Sequence, residues 1–392
     1  FTFVAFKTYK MNDMKGKQGL VCMGLLLVLS SCSCHTGKQI TASGLQRKDF
    51  QTEVSGQHTD LFTLSNKQGM EVCITNYGAR VVSILVPDRN GKREDVVCGF
   101  STITEYMEQR QNFGSTVGRY IGRILNARFT LDGVEYKLVP NNGKSGHISH
   151  GGNPGFADRI WKVEQADTHR VCLSYLSPDG ENGFPGNLKV TLVYSLGEDD
   201  NALDLTYEAT TDAPTVLNLS HHSFFNISGN FTKSVEDQQL WVDADRFTPY
   251  DDKKCVTGEY LQVAGTPLDF RMPHAIGECI DADHPQLKVV NGYDHTWELN
   301  TKGDDTRPAA WVYDPASGRK MEIFTTEPGM QIYTGNGLKG KMTGKGGIAY
   351  PFRSAVCFET MHFQDSPNQP GFPSTVLRPG EVFRSHTVYK FE

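Results

Sequence analysis

Short apolar runs of strand length, separated by Gly, Asn, Asp and Pro, recur along this chain from about residue 71 onward, and this limits the fold more than any other feature. The runs fall at Glu71–Thr75, residues 79–86, 96–99, 128–131, 135–139, 171–176, Leu188–Leu196 and residues 203–210. Asp132-Gly133 joins two of them as a tight hairpin, and residues 197–201 join two more. Helical spacing is confined to residues 102–109 and a turn near residues 274–279. Parallel strands need long crossovers, usually helical, so strands this numerous without intervening helices must pair antiparallel. The expectation is an all-β chain: one large antiparallel β-sandwich over residues 46–392, undivided by any Pro/Ser-rich linker and without an internal repeat.

Residues 1–32 stay outside that fold, as upstream sequence and a signal peptide. Residues 1–10 precede every methionine, and Lys15 and Lys17 then form a basic segment ahead of the apolar residues 20–29. That run is shorter than the ~20 apolar residues a membrane-spanning helix needs. It ends in Leu29-Ser30-Ser31-Cys32, which resembles the lipobox of bacterial lipoproteins. The resemblance implies cleavage before Cys32, lipid on its thiol and a flexible tether over residues 33–45. The competing reading is an ordinary secretory signal with a cysteine nearby by chance. The expected location is the bacterial cell envelope, as a periplasmic or outer-membrane lipoprotein whose only membrane contact is this anchor.

Charge and cysteine usage narrow the partners. A net charge of −6 on 392 residues is mild, and no basic stripe carries interleaved aromatics, so nucleic acid is not an expected partner. Cys73, Cys98, Cys172, Cys255, Cys279 and Cys357 are scattered singly, without the close pairs of zinc sites, and no metal site is expected. Most of them read as buried small hydrophobes, with one or two disulfides left open. A monomer is expected.

The chemistry-bearing residues are spread along the chain. In residues 216–227 a His221-His222 pair sits among apolar residues, flanked by Asn218 and Asn226. An imidazole with an ordinary pKa of about 6.5 both gives and takes a proton near neutrality. Successive strand residues face opposite ways, so one of the two histidines works and the other supports. Buried asparagines need partners of their own. Arg119 and Arg123 lie among glycines in residues 118–124, and either donates to hydroxyls or ties down carbonyls and carboxylates. His147 and His150 precede Gly151-Gly152, and the turn-rich residues 175–186 read as a supporting wall. Asp294 accepts hydroxyls or opens its strand as a turn residue, and Gln331 offers an amide beside an aromatic. Glu359 places a carboxylate inside an apolar strand, which is costly unless the charge is paired or used.

Histidines, isolated acids and an arginine, without metal spacing, nucleophile elbow or phosphate loop, suit proton transfer on a neutral polyhydroxylated ligand. In order, the stretches 118–124, 150–152, 155–156 with Trp161, 177–187, 218–226, 292–295, 328–336, 359–360, and 368–370 with 378–381 resemble the aldose 1-epimerase (galactose mutarotase) family. The likeness spans residues 52–391. It implies a galactose mutarotase-like supersandwich whose concave face holds a free aldose, with no cofactor. It also implies Glu359 as base, His222 as acid, and Arg123, His150, Asp294 and Gln331 as substrate-binding residues. Where the family usually has Asn before the arginine, this chain has Gly122, so one sugar contact is missing or supplied elsewhere. His221 stands where the family has Asn, and a loop about two residues longer than expected makes His147 a lesser candidate for the His150 role.

On that reading Glu359 takes the anomeric hydroxyl proton while His222 protonates the ring oxygen, each keeping the other ionised. Two alternatives stay open. A non-catalytic carbohydrate-binding protein of the same fold would have no use for the His222–Glu359 pair. A carbohydrate-cleaving enzyme on a related sandwich would need two placed carboxylates. The segment before the fold makes its own prediction: wild-type protein partitions with membranes, and Cys32→Ser releases it or leaves it unprocessed. Recovery of wild type wholly in the soluble periplasmic fraction reduces the segment to an ordinary secretory signal.

Overall fold

The computed structural model describes residues 39–392; the signal-like run, Cys32 and residues 33–38 lie outside the described residues. The later part of the expected tether is packed. Ile40 bridges Gln46, Leu45 is buried, and the Ala42 amide donates to Glu71 Oε1 at 2.6 Å. A buried carboxylate needs such donors, and Glu71 is 2% exposed, so the folded body starts near residue 40 rather than 46.

From there the chain builds antiparallel sheets. The largest has nine strands, with its middle formed by Arg170–Ser177, Leu188–Leu196, Ala202–Thr211 and Phe383–Phe391. Leu188–Leu196 shows why a sandwich results. Leu188, Val190, Leu192, Tyr194 and Leu196 are buried while the residues between them are not, the period-two pattern of a strand with one covered face. The cover is a six-stranded sheet in the spatial order Phe224–Phe225, Val356–Met361, Gly329–Tyr333, Asp294–Glu298, Arg246–Thr248, Leu261–Gln262. Phe225 packs 5.1 Å from the Tyr389 ring, and Tyr389 donates its hydroxyl to Phe358 O at 3.0 Å, so the two sheets are joined across one core.

Glycine and side-chain chemistry punctuate the strands where the sequence reading placed turns. Leu131 pairs with Val134 across Asp132-Gly133, both at positive φ, the backbone a two-residue hairpin of this twist requires. The helix Ile103–Gln109 starts on a capping box: Thr102 Oγ1 accepts from Glu105 N, and Glu105 Oε2 accepts from Thr102 N. Residues 96–99 are a departure. The strand there is Arg93–Asp95, and Val97 makes a single bridge to Phe225. Asp95 Oδ1 accepts from both Ile84 N and Val97 N, while Val96 N still donates to Ile84 O and Cys98 N to Phe224 O, so a side chain interrupts the regular ladder. A second short helix, Pro285–Val290, opens with His284 Nδ1 accepting from Gln286 N; its apolar run is too short to show a period. The six described cysteines are all free. Among the described residues no helix is long and apolar enough to cross a membrane.

Candidate active site

The six-stranded sheet sets one polar row on its outer face. In register, Thr296 faces Gln331 and Gln331 faces Glu359, so three adjacent strands place their side chains side by side. Val356–Met361 is buried on both faces. Val356 and Phe358 belong to the core between the sheets, and the alternate residues Glu359 and Met361 line a cavity. This answers the cost of a carboxylate in an apolar strand: only every second residue meets the core. Asp294, two residues from Thr296, comes to the same face, and Gln331 Nε2 donates to its Oδ1 at 2.6 Å. Thr296 Oγ1 donates to Gln331 Oε1 at 2.5 Å, which fixes the amide's orientation.

His222 reaches that row from a neighbouring segment, Ser220–His222, whose alternation separates the two histidines. His221 is buried between the rings of Tyr194 and Tyr389, with no hydrogen-bond partner for either ring nitrogen. His222 turns to the cavity, where its Nε2 lies 3.3 Å from Glu359 Oε1 and its Nδ1 lies 3.6 Å from Cys357 Sγ. The two asparagines anchor the segment to both ends of the glutamate strand. Asn218 exchanges hydrogen bonds with the backbone of His362 at 3.0 Å each, and Asn226 Nδ2 donates to Ser354 O at 2.8 Å.

The remaining wall comes from the arginine and histidine loops. Arg119 is the structural arginine, donating to the carbonyls of Ser177, Pro178, Pro185 and Gly186. Arg123 lines the cavity, its guanidinium 5.9 Å from the Tyr250 ring. His150 also lines it, with its ring 5.5 Å from that of His222. The glycine after it is required by close approach, since a Cβ on Gly151 would meet Gly118 O at 2.0 Å. Asn182, from the turn-rich wall, holds this loop by donating to Gly151 O and Pro154 O, both at 2.9 Å. His147 points away, its Nδ1 accepting from Asn126 N and its Nε2 lying 3.2 Å from Cys255 Sγ. The longer loop therefore leaves the position to His150.

All six residues named from sequence thus line one cavity of about 240 Å³, below the ~300–1,000 Å³ of typical drug-sized pockets and suited to one small polar molecule. Gln364 was not foreseen. It packs against Gly122, where a Cβ would lie 2.5 Å from its Cγ, and its Oε1 accepts from Arg123 N at 3.3 Å. An amide from elsewhere in the chain occupies the space beside Gly122. Tyr333 and Thr296 were also missed, although each lies two residues along its strand from a named residue. Cys357 carries the same offset from Glu359.

Burial dominates the electrostatics. It pushes Glu359 well above the usual carboxylate range, with Asp294 adding to the rise and Arg123 opposing it. It pulls His222 well below an ordinary imidazole, with His150 second, and takes His150 down to about 4, helped by Arg123. Asp294 is raised by burial against the opposing pull of Arg123 and Gln331. Both shifts run against the expected ion pair: burial favours the neutral carboxylic acid on Glu359 and the neutral imidazole on His222. Burial also keeps the Cys357 thiol protonated. The nitrogen, sulfur and oxygen donors of His222, Cys357 and Glu359 lie within 4.8 Å of one another, a grouping that their sequence spacing does not reveal.

A β-sandwich carrying a buried histidine–glutamate contact in a polar cavity sized for one small molecule is suited to moving protons on small hydroxylated molecules. The chain belongs to the aldose 1-epimerase family, whose sequence model matches residues 60–390. Galactose mutarotase from Bos taurus is 40% identical over 84% of this chain and 93% of its own length. Aldose 1-epimerase from Escherichia coli K12 is 36% identical over 86% of this chain and 96% of its own. The solved aldose epimerase homologue from C. elegans superposes with a TM-score of 0.78 at 31% identity, covering 85% of this chain and 99% of that one.

The opposite facing of the two histidines is testable. His222→Asn lowers turnover by about 10²–10⁴-fold with little change in melting temperature. His221→Asn lowers the melting temperature, while turnover per folded molecule stays within a few-fold. Equal losses of turnover in the two variants would contradict the assignment.

Proposed function

We propose that this cavity opens and recloses the ring of a free aldose, with Glu359 as base and His222 as acid. As a member of the aldose 1-epimerase family, the protein interconverts the α and β anomers of such a sugar. The observation that carries the residue assignment is the buried 3.3 Å contact between His222 Nε2 and Glu359 Oε1.

The proton inventory closes. An entering sugar supplies hydroxyls that hydrogen-bond the carboxylate, and the shared proton moves from Glu359 to His222. Glu359 then takes the proton from the C1 hydroxyl, the C1–O5 bond breaks as C1=O1 forms, and O5 takes the proton from His222. The pair is now a neutral acid and a neutral imidazole, the form that burial favours for each group. The site is thus matched to the open-chain aldehyde. Rotation about C1–C2 and the reverse transfers close the ring on the other face. Asp294, Gln331, Arg123 and His150 hold the remaining hydroxyls, His150 as a neutral group because its pKa is near 4. Free glucose- or galactose-type hexoses are the substrates of this reading. The lipobox-like residues 29–32 support placing the activity in the cell envelope.

Two experiments bear on it. Polarimetry on freshly dissolved α-glucose and α-galactose should show Glu359→Gln about 10²–10⁴-fold slower than wild type, with sugar binding largely kept. The wild-type rate should follow a bell in pH. On the acid side a second proton enters the pair and removes the base; on the alkaline side the last proton leaves and removes the acid. The limbs report the pair as a unit. Near-normal turnover of Glu359→Gln would remove it from the mechanism. The second experiment addresses the His222, Cys357 and Glu359 donors. Activity should survive exhaustive chelation; loss on chelation, restored by one added divalent ion, would instead make these residues metal ligands.

A further inference from the structure

One wall of the aldose cavity is closed by a residue that the proposed chemistry leaves unused. Gln364 lies just beyond the strand Val356–Met361 and lines the cavity with Arg123, Asp294 and Gln331. It is 4% exposed, so its polar atoms need partners. Both hydrogens on Nε2 are spent, on the Tyr250 hydroxyl at 2.7 Å and on Gln331 Oε1 at 3.3 Å. Of the two lone pairs on Oε1, one accepts from Arg123 N at 3.3 Å; no donor among the described residues takes the other. The amide cannot be turned over, because a backbone N–H faces one end and the Gln331 oxygen faces the other.

We propose that Gln364 is a further substrate-binding and specificity-determining residue, whose free Oε1 lone pair accepts from one sugar hydroxyl other than that on C1. The inference rests on the aldose reading of the cavity. Gly122 makes the contact possible. Its φ is +76°, and a Cβ there would lie 2.5 Å from Gln364 Cγ and 3.0 Å from Cδ, so a side chain on residue 122 and the Gln364 amide compete for one space. With that space open, the amide reaches the hydroxyl-holding group and hydrogen-bonds Gln331, which in turn donates to Asp294.

Two further features suit the role. The loop is fixed before a ligand enters: Asp365 N donates to Arg123 O at 2.8 Å while Gln364 accepts from Arg123 N, and groups held in advance lower the ordering cost of binding. The acceptor is also neutral. Asp294 already raises Glu359, and a third carboxyl group in the same cavity would push both acids further up. An amide adds an acceptor without adding a charge. Its partners Gln331 and Arg123 hold hydroxyls rather than move protons, so loss of Gln364 falls on binding.

The test uses the purified protein and polarimetry on single anomers of glucose and of its 2-, 3-, 4- and 6-deoxy derivatives. Gln364→Met keeps the side-chain length and removes the amide. It should raise KM for glucose by about 3- to 15-fold, the range for losing one neutral hydrogen bond, with kcat within a few-fold. At one carbon the deoxy sugar should be penalised by a similar factor in wild type and by none in Gln364→Met; at the other carbons the penalties should match. A merely structural glutamine would not erase the value of one hydroxyl. The swap Gly122→Asn/Gln364→Ala is read independently of whether Gln364→Met folds, since Asn tolerates positive φ and returns an amide to the same space. It should recover most of the binding that Gln364→Ala loses. An unchanged KM in Gln364→Met, deoxy penalties that match wild type at every carbon, or a swap no better than Gln364→Ala would overturn the inference and leave the aldose reading intact. Wild-type protein that turns over no sugar would overturn both.

Discussion

The contact between His222 and Glu359 is the constraint the rest of the site depends on. The two residues lie on different segments far apart in the chain, yet His222 Nε2 and Glu359 Oε1 are held 3.3 Å apart in a cavity that disfavours charge on either. A misplacement of even 1 Å carries a large cost in rate. The fold meets this demand with two asparagines, which bind the backbone on either side of Val356–Met361 at His362 and Ser354. Each asparagine is itself buried, so leaving its amide unpaired would cost about 1–3 kcal/mol. The same hydrogen bonds that satisfy buried amides therefore set the distance between His222 and Glu359.

Around that contact, sheet geometry does most of the positioning. Because Thr296, Gln331 and Glu359 are register partners on adjacent strands, a sheet pleated for core packing aligns its alternate face as a polar row. A one-residue slip would bury that row and turn Phe358 outward, so the core and the site specify the same register. Burial raises Glu359 and lowers His222, and in the proposed mechanism one proton passed between them serves the anomeric hydroxyl and the ring oxygen in turn.

Much of this was legible in the sequence. Leu188–Leu196 alternates along its whole length, Asp132-Gly133 names its own turn, and Glu359 stands out as a charge among apolar neighbours. The six site residues were reached through motif order, since no local pattern shows that Arg123 and Glu359 meet. What stayed hidden was long-range. Gln364 enters the site because Gly122 leaves room for its side chain, and nothing around residue 364 signals it. The ionised pair expected from two opposite charges is opposed by burial, which no sequence spacing reports. Asp95 interrupts the regular ladder by accepting two amides through its side chain, and the start of the folded body near residue 40 depends on the buried Glu71 needing donors.

The central claim is that His222 and Glu359 act as one proton-sharing unit. The most direct measurement is the turnover of the double variant His222→Asn/Glu359→Gln beside the two single variants, by polarimetry under identical conditions. A pair that works as a unit loses its function with either member, so the double variant should be about as slow as the slower single variant. If instead the two losses multiply, each group contributes on its own and the shared-proton account is wrong.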